Sequence, residues 1–134
     1  MRLIIAGSRN FDDEETFRKV MALVDRLIDS AYLDFPSEVV SGTCRGADTM
    51  GERWAKDHGH PIKRFPADWK QYGKAAGPIR NKEMAEYGDA LILLWKPSSS
   101  SGSLSMFNEA IKKNLPIVSY NLATGTIALK NFKL

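Results

Sequence analysis

The chain has 134 residues, 43% hydrophobic and 26% charged, which suits one globular domain with a buried core; no window approaches the roughly 18 consecutive apolar residues of a membrane span. The apolar stretch in Met1–Arg9 is too short for a signal peptide, and the single cysteine, Cys44, excludes a disulfide framework or a cysteine-built zinc site, so the expected setting is the reduced cytoplasm. Net charge is +3 but unevenly spread: residues 1–60 hold 8 basic and 11 acidic side chains (−3), residues 61–134 hold 11 and 5 (+6).

The apolar run Leu3–Ala6, ending in Gly7-Ser8-Arg9, predicts a buried strand that runs into a loop. Asp12-Asp13-Glu14-Glu15 supply the cap and first-turn acids of a helix whose apolar stripe is Phe17, Val20, Met21, Val24, Leu27 and Ile28. Val39-Val40 forms a short strand, followed by a helix from Gly46 to about His58 with Gly59 as terminator. Pro61–Phe65 reads as a third strand, Pro66–Pro78 as a loop, and Ile79–Tyr87 as a third helix. Ala90–Trp95 is apolar throughout, as a central strand of a parallel sheet is. A Pro-Ser-Gly loop, a helix over Leu104–Lys113 and the strand Pro116–Tyr120 follow. The tail over 121–134 alternates weakly at Thr126–Phe132 and could add an edge strand.

This β-α alternation predicts one α/β domain over residues 1–134, with its core over about 1–120. The sheet is expected to be Rossmann-like, doubly wound and mostly parallel, of about five strands with helices on both faces. Such sheets bind ligands beyond the C-terminal ends of the strands. Three strand-to-helix loops there are rich in glycine and serine: Gly7-Ser8-Arg9, Ser41-Gly42-Thr43-Cys44-Arg45-Gly46, and Ser98–Ser103. Such loops let backbone N–H groups approach an anion, and the following helix adds partial positive charge. Four acids open the first helix, whereas the last helix has none before Glu109, so phosphate is expected at the last helix and over Gly42–Gly46, with Arg9 and Arg45 as counter-charges.

Asp48 reads either as a first-turn carboxylate of its helix or as a ligand-facing acid for a ribose hydroxyl. Cys44 reads as a packed loop residue, and His58 and His60 as closing the second helix. Within residues 63–82, Lys63, Arg64, Lys70, Lys74, Arg80 and Lys82 face only Asp68 and no other acid until Glu83. That excess suits an anionic ligand or a solvated surface. Trp69 or Tyr72 could stack on a base or cover a sheet edge, and Arg80 could reach a phosphate or pair with Glu83 or Glu86.

Several blocks together resemble the YspA/YpsA-related branch of the SLOG superfamily: Val39–Asp48, Trp54-Ala55, Phe65–Trp69, Ala76–Asn81 and Met84, with Gly7-Ser8-Arg9 and Phe11 at the start. The resemblance implies a Rossmann-like fold and a nucleotide or nucleotide-derived ligand of the ADP-ribose kind. It extends to the lonely-guy phosphoribohydrolases and to the DNA-processing protein that loads single strands. Arg80-Asn81-Lys82-Glu83-Met84 is similar to the Arg-Lys-x-x-Met block of the lonely-guy enzymes. Gly102-Ser103-Leu104-Ser105-Met106 is similar to the end of their Gly-Gly-x-Gly-Thr-x-x-Glu block, with Met106 where the catalytic glutamate stands. A thioether cannot stabilise an oxocarbenium ion or direct water. The branch expectation of Ser-Arg-Gly-Thr in the last loop meets Ser100-Ser101-Gly102-Ser103, which lacks the arginine.

The expected function is therefore binding of a nucleotide-derived phosphate ligand, as a sensor or sequestering protein. The expected contacts are Gly7, Ser8, Arg9, Ser41, Gly42, Thr43, Arg45, Gly46, Asp48, Asp68, Trp69, Arg80, Asn81, Ser101, Gly102 and Ser103. The alternative is a hydrolase of an N-glycosidic or phosphoester bond, with Asp48 or Asp68 as base and Arg80 or Arg45 as charge clamp. A second alternative is a single-stranded nucleic-acid module built on Arg64, Trp69, Lys70, Tyr72, Lys74 and Lys82. No cofactor is required and no metal site is expected, Mg²⁺ arriving only with a ligand's phosphates. The chain is expected to self-associate and to have no membrane partner.

Overall fold

A computed structural model describes residues 1–98 and 101–133. Its elements run β1 (Arg2–Gly7), α1 (Glu14–Asp29), β2 (Glu38–Ser41), α2 (Ala47–Asp57), β3 (Ile62–Arg64), α3 (Trp69–Tyr72), a 3₁₀ turn (Gly73–Ala75), α4 (Ala76–Tyr87), β4 (Ala90–Trp95), α5 (Ser101–Lys112), β5 (Ile117–Asn121) and β6 (Thr126–Lys130). They build one six-stranded sheet in the order β3-β2-β1-β4-β5-β6, parallel except for the antiparallel β6. The α/β, Rossmann-like expectation holds, with six strands in place of about five.

Alternation along the strands sorts the core into two layers. Leu3 and Ile5 of β1 and Ile92 and Leu94 of β4 face α1 and α2, packing on Val20, Val24, Ala47 and Ala55. Ile4, Ala6, Leu91 and Leu93 face α4 and α5, packing on Met84, Ala85, Met106 and Ala110. Every residue of β4 is buried, as its unbroken apolar sequence requires of a strand flanked on both edges and both faces. Each fully buried leucine or isoleucine there is worth about 1.5–3 kcal/mol, which sets the register firmly.

Three segments depart from the sequence expectation. Pro66–Pro78 is not a loop throughout: the Asp68 carboxylate accepts the Gln71 N–H at 3.1 Å and caps the single turn α3, and the 3₁₀ turn leads directly into α4. Accordingly α4 begins at Ala76, not Ile79, with Gly77 and Pro78 inside its first turn. Proline is tolerated there because the first N–H groups of a helix have no intrahelical partner. The last helix begins at Ser101, one turn earlier than Leu104. The tail strand β6 is real: Asn121 Oδ1 accepts the N–H groups of Ala123 and Thr124 at 2.9 and 3.3 Å, and Gly125, at φ 72°, completes the reversal onto β5.

Candidate functional site

At the C-terminal edge of the sheet the chain leaves β1 towards α1 on one face and β4 towards α5 on the other. A basin of about 600 Å³ opens at this divergence, floored by Ala6, Met84 and Met106. Its walls come from the β1 exit (Gly7 to Asn10), Cys44 and Asp48 of the β2–α2 segment, Trp69 and Lys74, and the first turns of α4 and α5.

The first two loops spend much of their polar capacity on each other. The Ser8 N–H donates to the Leu94 carbonyl at 2.9 Å, and the Ser8 carbonyl accepts from the N–H of Phe11 at 3.3 Å and of Ala47 at 3.2 Å. This clamp needs glycine twice: a Cβ on Gly7 would lie 1.9 Å from the Leu94 oxygen, and one on Gly46, at φ 80°, would lie 2.1 Å from the Ser8 oxygen. The Asp48 carboxylate accepts the Cys44 N–H at 3.2 Å. Ser41 donates its hydroxyl to Glu52 at 2.6 Å and accepts the Thr43 N–H at 3.1 Å, while Glu52 also pairs with Arg64 at 2.8 Å.

Burial pushes the Asp48 carboxyl up from 3.8 to about 6, against the opposing pull of the Cys44 and Gly7 N–H groups and the Arg80 guanidinium. Arg80 is itself only 9% exposed. Its Nη1 donates to the Gly42 carbonyl at 2.5 Å, its Nε to Asn81 Oδ1 at 2.9 Å, and both Nη atoms lie 3.8 Å from Cys44 Sγ. Gly42 separates the two charges: a Cβ there would stand 2.8 Å from Asp48 Oδ2 and 3.0 Å from Arg80 Nη1. Among the described residues no carboxylate closes an ion pair with Arg80. Its contacts anchor the Gly42–Cys44 loop, and the acid whose charge it feels, Asp48, stands across Gly42 without touching it.

On the opposite wall, Asn81 Nδ2 donates to the Gly102 carbonyl and the Ser105 hydroxyl, each at 3.2 Å, which fixes the first turn of α5 against α4. That turn carries no acid. Met106 is 2% exposed and packs in the α4–α5 core, so the position aligned with a lonely-guy glutamate offers the basin only a thioether. Glu109, one turn on, pairs with Lys112 at 3.2 Å instead. Trp69, half exposed, lies along α4 where Gly77 leaves room; a Cβ on Gly77 would be 3.4 Å from the indole edge.

The basin therefore brings together Gly7, Ser8, Arg9, Asp48, Trp69, Arg80, Asn81, Ser101, Gly102 and Ser103 from the expected set. It does not include Ser41, Gly42, Thr43, Arg45, Gly46 or Asp68 in its lining. Of these, Gly42 packs against Asp48 and Arg80, Gly46 against Ser8 and Arg9, Ser41 serves Glu52, Thr43 and Arg45 are exposed, and Asp68 caps α3. Of the last loop, Ser99 and Ser100 lie outside the described residues. Asn10, Lys74 and Ser105 join the lining without having been singled out as contacts; Lys74 alone carried a signal, its place in the basic cluster. That cluster is dispersed, with Arg64 on Glu52 and the Lys63 amine 5.5 Å from the Phe65 ring centre. His58 and His60 stack on Trp54 after α2, as an end-of-helix role predicts. Among the described residues no group of three histidine, cysteine or carboxylate side chains is placed to hold a metal ion, and no helix is long and apolar enough to cross a membrane.

Residues 1–72 match the model of the YspA, cpYpsA-related SLOG family. The Gene 61 protein of Mycobacterium phage D29 is 35% identical over 124 residues, covering 89% of this chain and 95% of its own. No solved structure matches significantly.

Proposed function

This chain belongs to the YspA, cpYpsA-related SLOG family, whose membership points to nucleotide-related ligands in general, and we propose that it binds a nucleotide-derived phosphate ligand of the ADP-ribose kind in the basin, as a sensor or sequestering protein. The observation that carries this reading is Arg80: a buried guanidinium bordering a cleft at the strand C-termini, with no carboxylate in direct ion-pair contact among the described residues. A phosphate held between Arg80 and the acid-free first turn of α5 gains charge-assisted hydrogen bonds and the favourable end of the helix dipole. Lys74 and Arg9 add positive charge at the rim, and the exposed indole of Trp69 offers a face to a base.

The test is titration calorimetry of the wild type and Arg80→Met with AMP and ADP-ribose. Charge-assisted hydrogen bonds are worth about 1.5–3 kcal/mol, so the variant should bind about 10- to 100-fold more weakly. Equal affinity in the variant, with circular dichroism showing an unchanged fold, overturns the proposal.

A second reading, hydrolysis of the same ligand, draws on Asp48. A buried carboxyl raised to about 6 beside a basin has the poise of a general acid or base near neutral pH. Proton NMR of the ligand with enzyme separates the two readings: new free-base or ribose-phosphate resonances that vanish in Asp48→Asn support hydrolysis, and line broadening alone supports binding.

A further inference from the structure

The sheet ends in β3 on one side and β6 on the other, and the two edges are built differently. β3 is three residues long, carries the exposed cations Lys63 and Arg64, and is bracketed by Pro61 and Pro66. Short length, charge and proline are what keep a sheet edge from pairing with another strand. β6 has five residues, Thr126–Lys130, with no proline and no charge before its last position. It is also held at both ends. The reversal at Asn121 and Gly125 fixes its start; beyond its end, Asn131 Nδ2 donates to the Leu115 carbonyl at 3.0 Å and Phe132 packs on the α1–α2 side of the core. An edge already ordered loses little entropy on pairing.

The register with β5 fixes where the polar groups of β6 point. The Trp95 carbonyl accepts the Leu122 N–H at 2.8 Å, and the Asn121 carbonyl accepts the Gly125 N–H at 2.8 Å. Asn121, Ser119 and Ile117 therefore turn their backbone groups to β6, where Thr126, Ala128 and Lys130 meet them. The N–H and C=O of Ile127 and Leu129 are left pointing off the open edge. The side chains of these two residues share the face towards α1, where Leu129 and Tyr120 adjoin the core. Ile127 lies opposite Tyr120 on that face and is still 42% exposed.

We propose that β6 pairs antiparallel with β6 of a second copy of this chain, across a two-fold axis at Ala128, joining the two sheets into one. In this register Ile127 of each copy stands opposite Leu129 of the other, and each such pair exchanges both of its outward N–H···O=C bonds. Lys130 falls opposite Thr126 rather than another lysine, so no like charges meet. The apolar row Tyr120–Ile127 is extended by Leu129 of the partner subunit, which covers the exposed isoleucine. A second copy fits because the segment is complementary to itself in charge, hydrogen bonding and side-chain face at once. The axis uses both β6 edges and leaves only the guarded β3 edges outside, so assembly closes at two copies. This dimer goes beyond the ligand reading and does not depend on it, since β6 contributes nothing to the basin lining.

Sedimentation equilibrium of the wild type and Ile127→Pro, with oxidative cross-linking of Ala128→Cys and Thr126→Cys, tests this. Ile127→Pro removes an N–H that faces off the edge, a position where strands tolerate proline, and circular dichroism verifies its fold. At about 0.5 mM, as a small interface calls for, the wild type should sediment at twice 15.0 kDa and the variant at 15.0 kDa. Across the axis Ala128 faces its own counterpart in a non-hydrogen-bonded pair, whose Cα spacing of about 4.5 Å suits a disulfide. Ala128→Cys should therefore cross-link into a dimer, beyond any level that Cys44 gives in the wild type, and Thr126→Cys should not. A wild type that stays at 15.0 kDa, a dimer that survives Ile127→Pro, or cross-linking of Thr126→Cys as fast as of Ala128→Cys overturns the pairing.

Discussion

Replacing Asp48 by asparagine should stabilise the folded chain near neutral pH. The carboxyl moves from 3.8 to about 6 on folding, chiefly because burial strips water from its charge. Each pKa unit corresponds to about 1.4 kcal/mol between protonation states, so ionised Asp48 costs about 3 kcal/mol once the pH exceeds both values. The sign follows from proton counting: between 3.8 and about 6 the folded chain holds more protons than the unfolded one, so stability falls as pH rises through this window. Asparagine keeps an oxygen to accept the Cys44 N–H and carries no charge at any pH. Urea unfolding of both proteins at pH 4, 5, 6, 7 and 8 should give a difference near zero at pH 4 that grows to about 2–3 kcal/mol by pH 7 and then levels, seen as a midpoint shift of about 1–2 M. Subtraction removes the contributions of Asp13, held low by its hydrogen bonds from Thr16, and of Glu52, where Ser41 and Arg64 outweigh burial. A difference that is flat across this range, or that favours the wild type at pH 7, refutes the argument. A carboxylate retained at such expense is the pattern expected of a functional group rather than a packing residue.

Gly7→Ala places a Cβ 1.9 Å from the Leu94 oxygen at φ 155°, so it should destabilise by more than about 2 kcal/mol, read as a lower urea midpoint; an unchanged midpoint refutes the close-approach argument. Asn81→Ala removes the donors to Gly102 and Ser105 and leaves Arg80 Nε without its acceptor, with an expected loss of about 1–3 kcal/mol. It should also weaken AMP binding, because the first turn of α5 is no longer tied to α4. Undiminished affinity would show that this turn holds its position without Asn81.

Much of the architecture was legible from local patterns. The apolar run Ala90–Trp95 could only be a strand covered on both faces, and Asp13 before the Phe17–Leu27 stripe marked the start of α1. Local cues are weaker between Pro66 and Pro78. Gly77 and Pro78 look like loop residues until their place among the free N–H groups of a helix start is known, and that Asp68 caps a single turn shows only in the fold.

The site shows the division more sharply. Residue types alone nominated Arg80, Asp48, Gly7 and the last serine-glycine turn, because charge, glycine freedom and acid-free helix starts are properties a chain carries locally. They could not tell that Cys44 is the member of the Gly42–Gly46 loop that reaches the basin, that Ser41 is spent on Glu52, or that Ser8 stands between the basin and a second hollow at the start of α1. Burial, counter-ion distance and shared walls depend on pairs of residues far apart in the chain: Arg80 meets Gly42 across 38 positions, and Tyr120 shares that second hollow with the β1–α1 loop because β4 pairs between β1 and β5. Sequence by itself determined the alternating α/β pattern, the two-faced core and the chemical inventory at the strand ends. The tertiary structure decided which of those groups share a cavity, because desolvation and charge pairing arise only when the sheet brings its loops together.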